Sequence, residues 1–379
     1  MIKTNPAKVL LVTSSFLPGK GGIESYLAEL CQQVSPELAV IAQAKRGNLK
    51  LPNNLDYQTF PLARQLPWPG RQNLAAIVDV ANQLKTKKIF FGTPWPLSMY
   101  GPELKKRGFN YIVLSHAAEF LIPFHVPFLG QQLARSLSEA DHLFTVSNFT
   151  ANKIRQALMQ RGLSMPNITR LPPRVDTNTF RPNLDATSLR KHLGIAPEAK
   201  IILFLSRWVK RKGAQRLIAA MPQIRAQVPN AVAVIAGSGP HDKQLRQLAA
   251  RTPGVVIAGR LSVQDSPQAY ATADVFALPV VDGILGLETE GLGIVLLEAE
   301  ASGTPVVSGV SGGTIEALVD KQTGFLIDAR SQDQLIDRLV WLLTHDSERK
   351  AMGRAGRHFV QTEFAHQLPP QEFLDWIRS

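Results

Sequence analysis

The chain is punctuated by short, unbroken apolar runs. "KVLLVTS", "ELAVIAQ", "KIFFG", "YIVLSH", "HLFTVS" and "ITRLP" fall in the first half. "KIILFLS", "AVAVIAG", "VVIAG", "DVFALPV", "TPVVSG" and "GFLID" fall in the second. A strand with one wet face alternates apolar and polar residues, whereas a strand buried on both faces does not. These runs therefore predict parallel sheets covered by helices on both sides. Helical patterns stand between them, as in residues 22–34, 71–84 and 148–160, and in "GAQRLIAAMPQI" and "GIVLLEAEAS". Such alternation, with right-handed crossovers, gives doubly wound α/β domains.

A length of 379 residues has room for two to three domains. The regular pattern breaks once, over "PPRVDTNTFRPNLDATSLRKHLGIAPEA", which reads as a linker. The expected division is 1–183, 184–364, and a C-terminal helix in 365–379 that packs back on the N-terminal domain. Two α/β domains leave a cleft between them. Ligands of open parallel sheets bind outside the carboxyl ends of the strands, so the informative residues should lie just past strands.

Cys31 is the single cysteine, so no internal disulfide forms, in keeping with a reducing compartment. No apolar run approaches the roughly 18 residues of a membrane span. "MIKTNPAKVLLVTSSF" lacks the long apolar stretch and cleavage site of a signal peptide and reads as a first strand. The expected location is cytoplasmic, free or at the inner membrane surface. The net charge of +12 is uneven: residues 1–183 hold 21 Lys and Arg against 10 Asp and Glu, and residues 184–379 hold 21 against 20. A basic first half suits an anionic partner, here a lipid surface, a nucleic acid or a phosphorylated substrate.

Several strand ends carry suitable chemistry. "SSFLPGKGGIESYLAEL" is strand, glycine-rich loop and helix, where backbone and a helix N-terminus can meet an anion. It matches neither the P-loop nor the dinucleotide fingerprint, and a plain tight turn is the alternative. In "LSRWVKRKGAQRL", Arg207 offers a phosphate-binding fork and Lys212 a compact charge, while Lys210 and Arg211 read equally well as solvated. Gly237 and Gly239 in "AGSGP" form a turn open to a ribose or phosphate, and the backbone of Arg260, Leu261 and Val263 in "AGRLSVQD" follows another strand. In "ETEGLGIVLLE", Glu290 precedes a helix start at Gly291–Gly293 and Glu298 lies inside the helix. That segment presents backbone N–H groups to an anion, and each carboxylate can accept hydrogen bonds from sugar hydroxyls.

"SRWVKRKG" together with "ETEGLGIVLLEAEASGTPVVSGVSGGTIEALVD" resembles the C-terminal domain of the retaining glycosyltransferases of family 4, whose signature is the Glu-x7-Glu spacing of Glu290 and Glu298. "FLPGKGGIESYLAEL", "VSNFTANKI", "LPPRVDTNTFRP" and "AGRLSVQD" are similar to segments of bacterial phosphatidylinositol mannoside mannosyltransferases. The resemblance implies a GT-B fold of two Rossmann-like domains. It implies that Arg207 and Lys212 neutralise a donor diphosphate, that Glu298 holds the ribose and that Glu290 contacts the donor sugar. The backbone of Gly291, Leu292, Gly293 and Ile294 would meet sugar and phosphate. Gly21 and Gly22 would line the phosphate and acceptor side, and His116 would approach the sugar. The chain departs from the pattern at Ala117-Ala118-Glu119, where relatives often carry Gly-His-Glu, at Arg174, where glycine is common, and in the loop "VDGILGLETE".

The expected reaction moves a hexose, mannose favoured, from a nucleoside diphosphate sugar such as GDP-mannose to a lipid-linked or other glycoconjugate acceptor. The resemblance implies front-face attack with retention. No Asp-x-Asp motif is present and the histidines do not cluster as ligands, so no cofactor and no essential metal are expected. "EFLIPFHVPFLGQQLARSL" suits a membrane surface, with a buried loop and core helix as the alternative. Competing readings are a nucleotide-sugar 2-epimerase and a transferase using UDP-glucose, UDP-galactose or UDP-GlcNAc with a soluble acceptor. Nucleic acid is not an expected partner, because aromatics are few and no nucleic-acid module is present.

Overall fold

The computed structural model describes residues 7–19, 21–43, 55–62, 70–283, 286–365 and 368–379. Two residues of the loop "VDGILGLETE", Ile284 and Leu285, lie outside the described residues. The chain divides into two compact units, Met1–Pro173 with Leu368–Ser379, and Arg174–Gln367.

The first unit is built on a parallel sheet of seven strands: β1 (Val9–Thr13), β2 (Leu38–Gln43), β3 (Thr59–Leu62), β4 (Lys88–Phe91), β5 (Asn110–Ser115), β6 (His142–Thr145) and β7 (Ile168–Arg170). Their order is β3-β2-β1-β4-β5-β6-β7. All five residues of β1 are buried, as its unbroken apolar run requires. Leu10, Val12, Ile89 and Phe91 on the sheet pack with Ile77, Leu133 and Ile154 from the helices. Each such side chain contributes about 1.5–3 kcal/mol on burial. Strand β3 is missing from the sequence expectation. It is a half-buried edge strand, and its Pro61 removes a ladder donor, which an edge tolerates.

The last helix, Gln371–Arg378, closes this unit. Phe373 meets the rings of Phe90 at 5.4 Å and Phe144 at 5.2 Å, and Lys88 Nζ donates to the Trp376 carbonyl at 2.8 Å.

The second unit has a parallel sheet of six strands: β8 (Lys200–Leu205), β9 (Ala231–Ala236), β10 (Val255–Gly259), β11 (Val275–Leu278), β12 (Val306–Gly309) and β13 (Gly324–Ile327). Their order is β10-β9-β8-β11-β12-β13. Residues 174–183 belong here because their backbone is tied to this unit. Val175 N–H donates to the Phe364 carbonyl at 3.1 Å, Arg174 Nη2 to that of Ala365 at 3.1 Å, and Arg357 Nη1 to that of Phe180 at 3.1 Å. Arg174 thus uses its length as a tie. The aperiodic stretch also hides a helix, Thr187–His192, too short to display a period.

In both sheets the strand order reverses beside the first strand, which lies between β2 and β4 in one unit and between β9 and β11 in the other. Such switch points leave a crevice at the strands' carboxyl ends. The loops after β8 and β11 line one, and the loops after β1 and β4 line the other.

Candidate functional site

In the second unit, the chain leaves β8 through Arg207 and Trp208 and tightens into a three-ten turn, Lys210–Lys212. Lys212 Nζ lies 2.7 Å from Glu290 Oε1 and 2.8 Å from Oε2, and Arg211 Nη1 lies 2.9 Å from Oε2. The side chains of Arg211, Lys212 and Glu290 are 18%, 11% and 12% exposed, so this is a desolvated cluster. Burial pulls the Lys212 ammonium below its ordinary pKa; Glu290 opposes that, and Arg211 and Arg207 add to it. Burial would raise the Glu290 carboxyl, but Lys212 and then Arg211 outweigh it and hold the carboxyl below its ordinary value. Arg207 itself is exposed. Two cations share one carboxylate, and with Arg207 close enough to act on Lys212 the remaining positive charge suits a diphosphate.

Arg211 is a member of this cluster that the sequence left unassigned. Adjacent residues of a three-ten turn diverge by about 120°, and only the position of Glu290 brings both side chains to one carboxylate. Spacing along the chain carries no such signal.

The main chain of Glu290 is held as well. Its N–H donates to Ser311 Oγ at 3.2 Å, Ser311 Oγ donates to Asp282 Oδ1 at 2.6 Å, and Gly313 N–H donates to the Glu290 carbonyl at 2.8 Å. The helix Ile294–Ala301 then begins from Gly293, which has φ +94°, with no side chain capping it. Leu296 N–H meets the Gly293 carbonyl at 2.9 Å, and the N–H groups of Ile294 and Val295, which have no carbonyl within the helix to meet, are left for a ligand. Leu292 turns into the core, while Gly291 and Ile294 are half-buried.

Glu298 lies along the same helix, half-buried, and accepts a hydrogen bond from the Tyr270 hydroxyl at 2.7 Å. Burial pushes its carboxyl up to about 7, against the pull of Tyr270. Two residues on, Glu300 is fully buried, and neither oxygen has a hydrogen-bond partner of normal geometry. Burial keeps it well above the ordinary range, and Thr323 offsets this only in part.

Gly237 and Gly239 follow β9. A Cβ at Gly237 would lie 1.9 Å from the Ser206 carbonyl oxygen, and one at Gly239 would lie 2.5 Å from that of Trp208. These glycines let the chain of 206–208 pass close by, and Trp208 N–H donates to the Ser238 carbonyl at 2.9 Å. They shape the wall on which Arg207 stands. After β10, Arg260 is exposed, Leu261 is half-buried, and Val263 is 89% exposed.

In the first unit, Gly21 and Gly22 open the helix Gly22–Gln33 past β1, again with no side-chain cap. His116 follows β5. Its Nε2 is 3.0 Å from the Gly92 carbonyl, and its ring stands edge-on to Tyr26 at 5.6 Å and 84°. Burial lowers its pKa, with Glu119 the main opposing influence. The structure thus gathers Arg207, Arg211, Lys212 and Glu290 in one unit, with Glu298 on the adjoining helix, and His116 near Gly92 in the other.

Residues 185–359 match the family described as Glycosyl transferases group 1. The chain is 33% identical over 378 residues to the GDP-mannose-dependent monoacylated alpha-(1-6)-phosphatidylinositol monomannoside mannosyltransferase of Corynebacterium glutamicum, covering 98% of each chain. It is 31% identical over 386 residues to the GDP-mannose-dependent alpha-(1-6)-phosphatidylinositol monomannoside mannosyltransferase of Mycobacterium tuberculosis, again covering 98% of each. Among solved structures, the sucrose-phosphate synthase of Thermosynechococcus elongatus shares the architecture with a TM-score of 0.77 at 20% identity, over 94% of this chain and 95% of that one.

Proposed function

The chain belongs to the Glycosyl transferases group 1 family, and from that premise we propose that it is a retaining mannosyltransferase using GDP-mannose and a phosphatidylinositol mannoside or similar lipid-linked acceptor. The observation that carries this reading is the buried Arg211–Lys212–Glu290 cluster beside exposed Arg207, next to an uncapped helix start at a sheet's switch point. The activities of relatives that match over 98% of each chain supply the sugar and the acceptor class.

The second unit takes the donor and the first takes the acceptor. Arg207, Lys212 and the helix beginning at Ile294 stabilise the departing diphosphate, where preorganised charge has most effect on the rate. Glu290, held by Arg211, accepts from the mannose hydroxyls, and Glu298 accepts from the ribose. Both glutamates are thereby committed to binding, so the acceptor attacks from the face the diphosphate leaves, and a departing phosphate oxygen takes the acceptor proton. The cations replace a metal in neutralising the diphosphate. His116 contacts the sugar from the first unit.

A membrane-surface location for the acceptor rests on the helices Ala118–Phe124 and Leu129–Ser138. The turn between them carries Val126 at 44% and Phe128 at 86% exposure, and Ile122 at 44% precedes it. No described helix is long and apolar enough to cross a membrane. Incubation with nucleotide sugars, with and without phosphatidylinositol mannoside, tests the whole reading. Mass spectrometry should find one added hexose with GDP-mannose. A product formed from donor alone would instead indicate an epimerase, and transfer from a UDP-sugar only would overturn the donor assignment.

A further inference from the structure

His116 stands on a strained turn. Strand β5 ends at Ser115, and the chain turns sharply through His116 and Ala117 into the helix Ala118–Phe124. Ala117 makes the turn with φ +101° and ψ −77°. Such a conformation costs a residue with a side chain about 1–3 kcal/mol and persists only where its surroundings impose it. Ala117 is fully buried, so its neighbours do the imposing.

The neighbour in place is Glu119. Its Oε1 accepts hydrogen bonds from Ser115 Oγ at 3.0 Å, from Ala117 N–H at 3.2 Å and from His116 N–H. Three donors from consecutive residues converge on one carboxylate oxygen, and bonds to an ionised acceptor are the stronger kind. The imidazole is then fixed on its far side by Gly92. A carbonyl oxygen only accepts, so Nε2 carries the hydrogen and a neutral ring keeps its lone pair on Nδ1.

We propose that Glu119 is a positioning residue for His116: its carboxylate holds the 115–117 turn in the strained form and so sets where the imidazole stands. The proposal rests on the reading above, in which His116 meets the sugar, for its effect on turnover. Its structural content stands apart from that reading.

Three substitutions separate the possibilities. Glu119→Ala removes the acceptor, Glu119→Gln keeps an acceptor oxygen without the charge, and Ala117→Gly removes the strain. Glu119→Ala should lower kcat roughly 10- to 100-fold, the scale of a displaced catalytic group, with GDP binding by calorimetry unchanged. Adding Ala117→Gly should restore most of the lost kcat, because glycine adopts the turn without help. A residue that only fills space is not rescued in this way. An unchanged kcat in Glu119→Ala, or no recovery in the double variant, overturns the proposal.

Nitrogen-15 NMR of the His116 imidazole, assigned with His116→Gln, reads the same geometry without turnover. Its signals should move in Glu119→Ala and return in the double variant; signals that stay put in Glu119→Ala overturn the brace. If the wild type transfers no mannose, the functional reading fails while these spectra still decide the brace. If Glu119→Ala does not fold, Glu119→Gln takes its place. A smaller shift that Ala117→Gly abolishes supports the brace, and one that persists overturns it.

Discussion

Both oxygens of Glu290 lie within hydrogen-bonding distance of one ammonium, that of Lys212, at 2.7 and 2.8 Å. In the proposed reading, the donor diphosphate is a second anion at a charge already engaged with a carboxylate. Arg211, also bonded to Glu290, keeps the glutamate in place while Lys212 serves both. Removing one partner of a buried pair normally destabilises by about 3–5 kcal/mol. Because Arg211 remains, Lys212→Ala should lose less than about 3 kcal/mol in urea unfolding. Its transfer rate should fall roughly 100- to 1,000-fold, as when a charge-stabilising donor is removed.

If Glu298 holds the ribose, as proposed, its carboxyl sets a pH dependence for donor binding. With its carboxyl pushed up to about 7, it is mostly neutral a unit below and mostly ionised a unit above. Only the ionised form accepts freely at both oxygens, so GDP-mannose should bind about tenfold tighter near pH 8 than near pH 6. Titration calorimetry should show this slope in the wild type and its loss in Glu298→Gln. For folding the sign is opposite. A raised carboxyl pKa gives a contribution that is full below the ordinary glutamate value and lost as pH rises through about 7.

Glu300 is a stability liability. It is buried without a well-formed hydrogen bond, and Glu300→Met should raise stability by about 1–3 kcal/mol. Its pKa is also raised, so the folded state keeps it neutral and loses stability as pH climbs toward its ionisation. Thermal unfolding should show a melting midpoint that declines toward alkaline pH in the wild type and declines less in Glu300→Met. Equal decline in both would remove Glu300 as the cause.

If Arg207, Lys212 and the helix start carry the diphosphate without a metal, a chelator should leave the initial rate of mannose transfer unchanged. A rate that collapses with EDTA and returns with a divalent ion would place a metal in the reaction.

The exposed turn between Ile122 and Phe128 predicts binding to vesicles of anionic phospholipid. Burying one large apolar side chain contributes about 1.5–3 kcal/mol. Phe128→Asp should therefore weaken co-sedimentation by at least about tenfold and leave transfer to a short-chain, soluble acceptor unaffected. Equal binding by both proteins would assign the turn another use.

Most strands were legible because burial on both faces writes itself as an unbroken apolar run, as in Val9–Thr13. Strand β3 was not, because an edge strand with Pro61 has neither that run nor a clean alternation. In the site, Lys212 is legible as a charge in the loop after a strand and Glu290 through the Glu-x7-Glu spacing, whereas Arg211, Tyr270, Ser311 and Asp282 are not. Their roles come from which loops the sheet order places together, and a loop of residues around 282 has no reason in sequence to meet residue 311. Ala117 was visible only as a departure from a pattern; its backbone angle shows what glycine supplies at that position.

The helix Gln371–Arg378 belongs to the first unit, yet all of the second unit separates it from that unit's sheet in the chain. During synthesis the ribosome therefore completes the second unit before the part that covers Phe90 and Phe144 exists. The unit whose strands emerge first is the one whose hydrophobic surface is closed last. A chain that ends before residue 371 holds every residue of the second unit and an open first unit, and that open apolar surface is something a chaperone can hold.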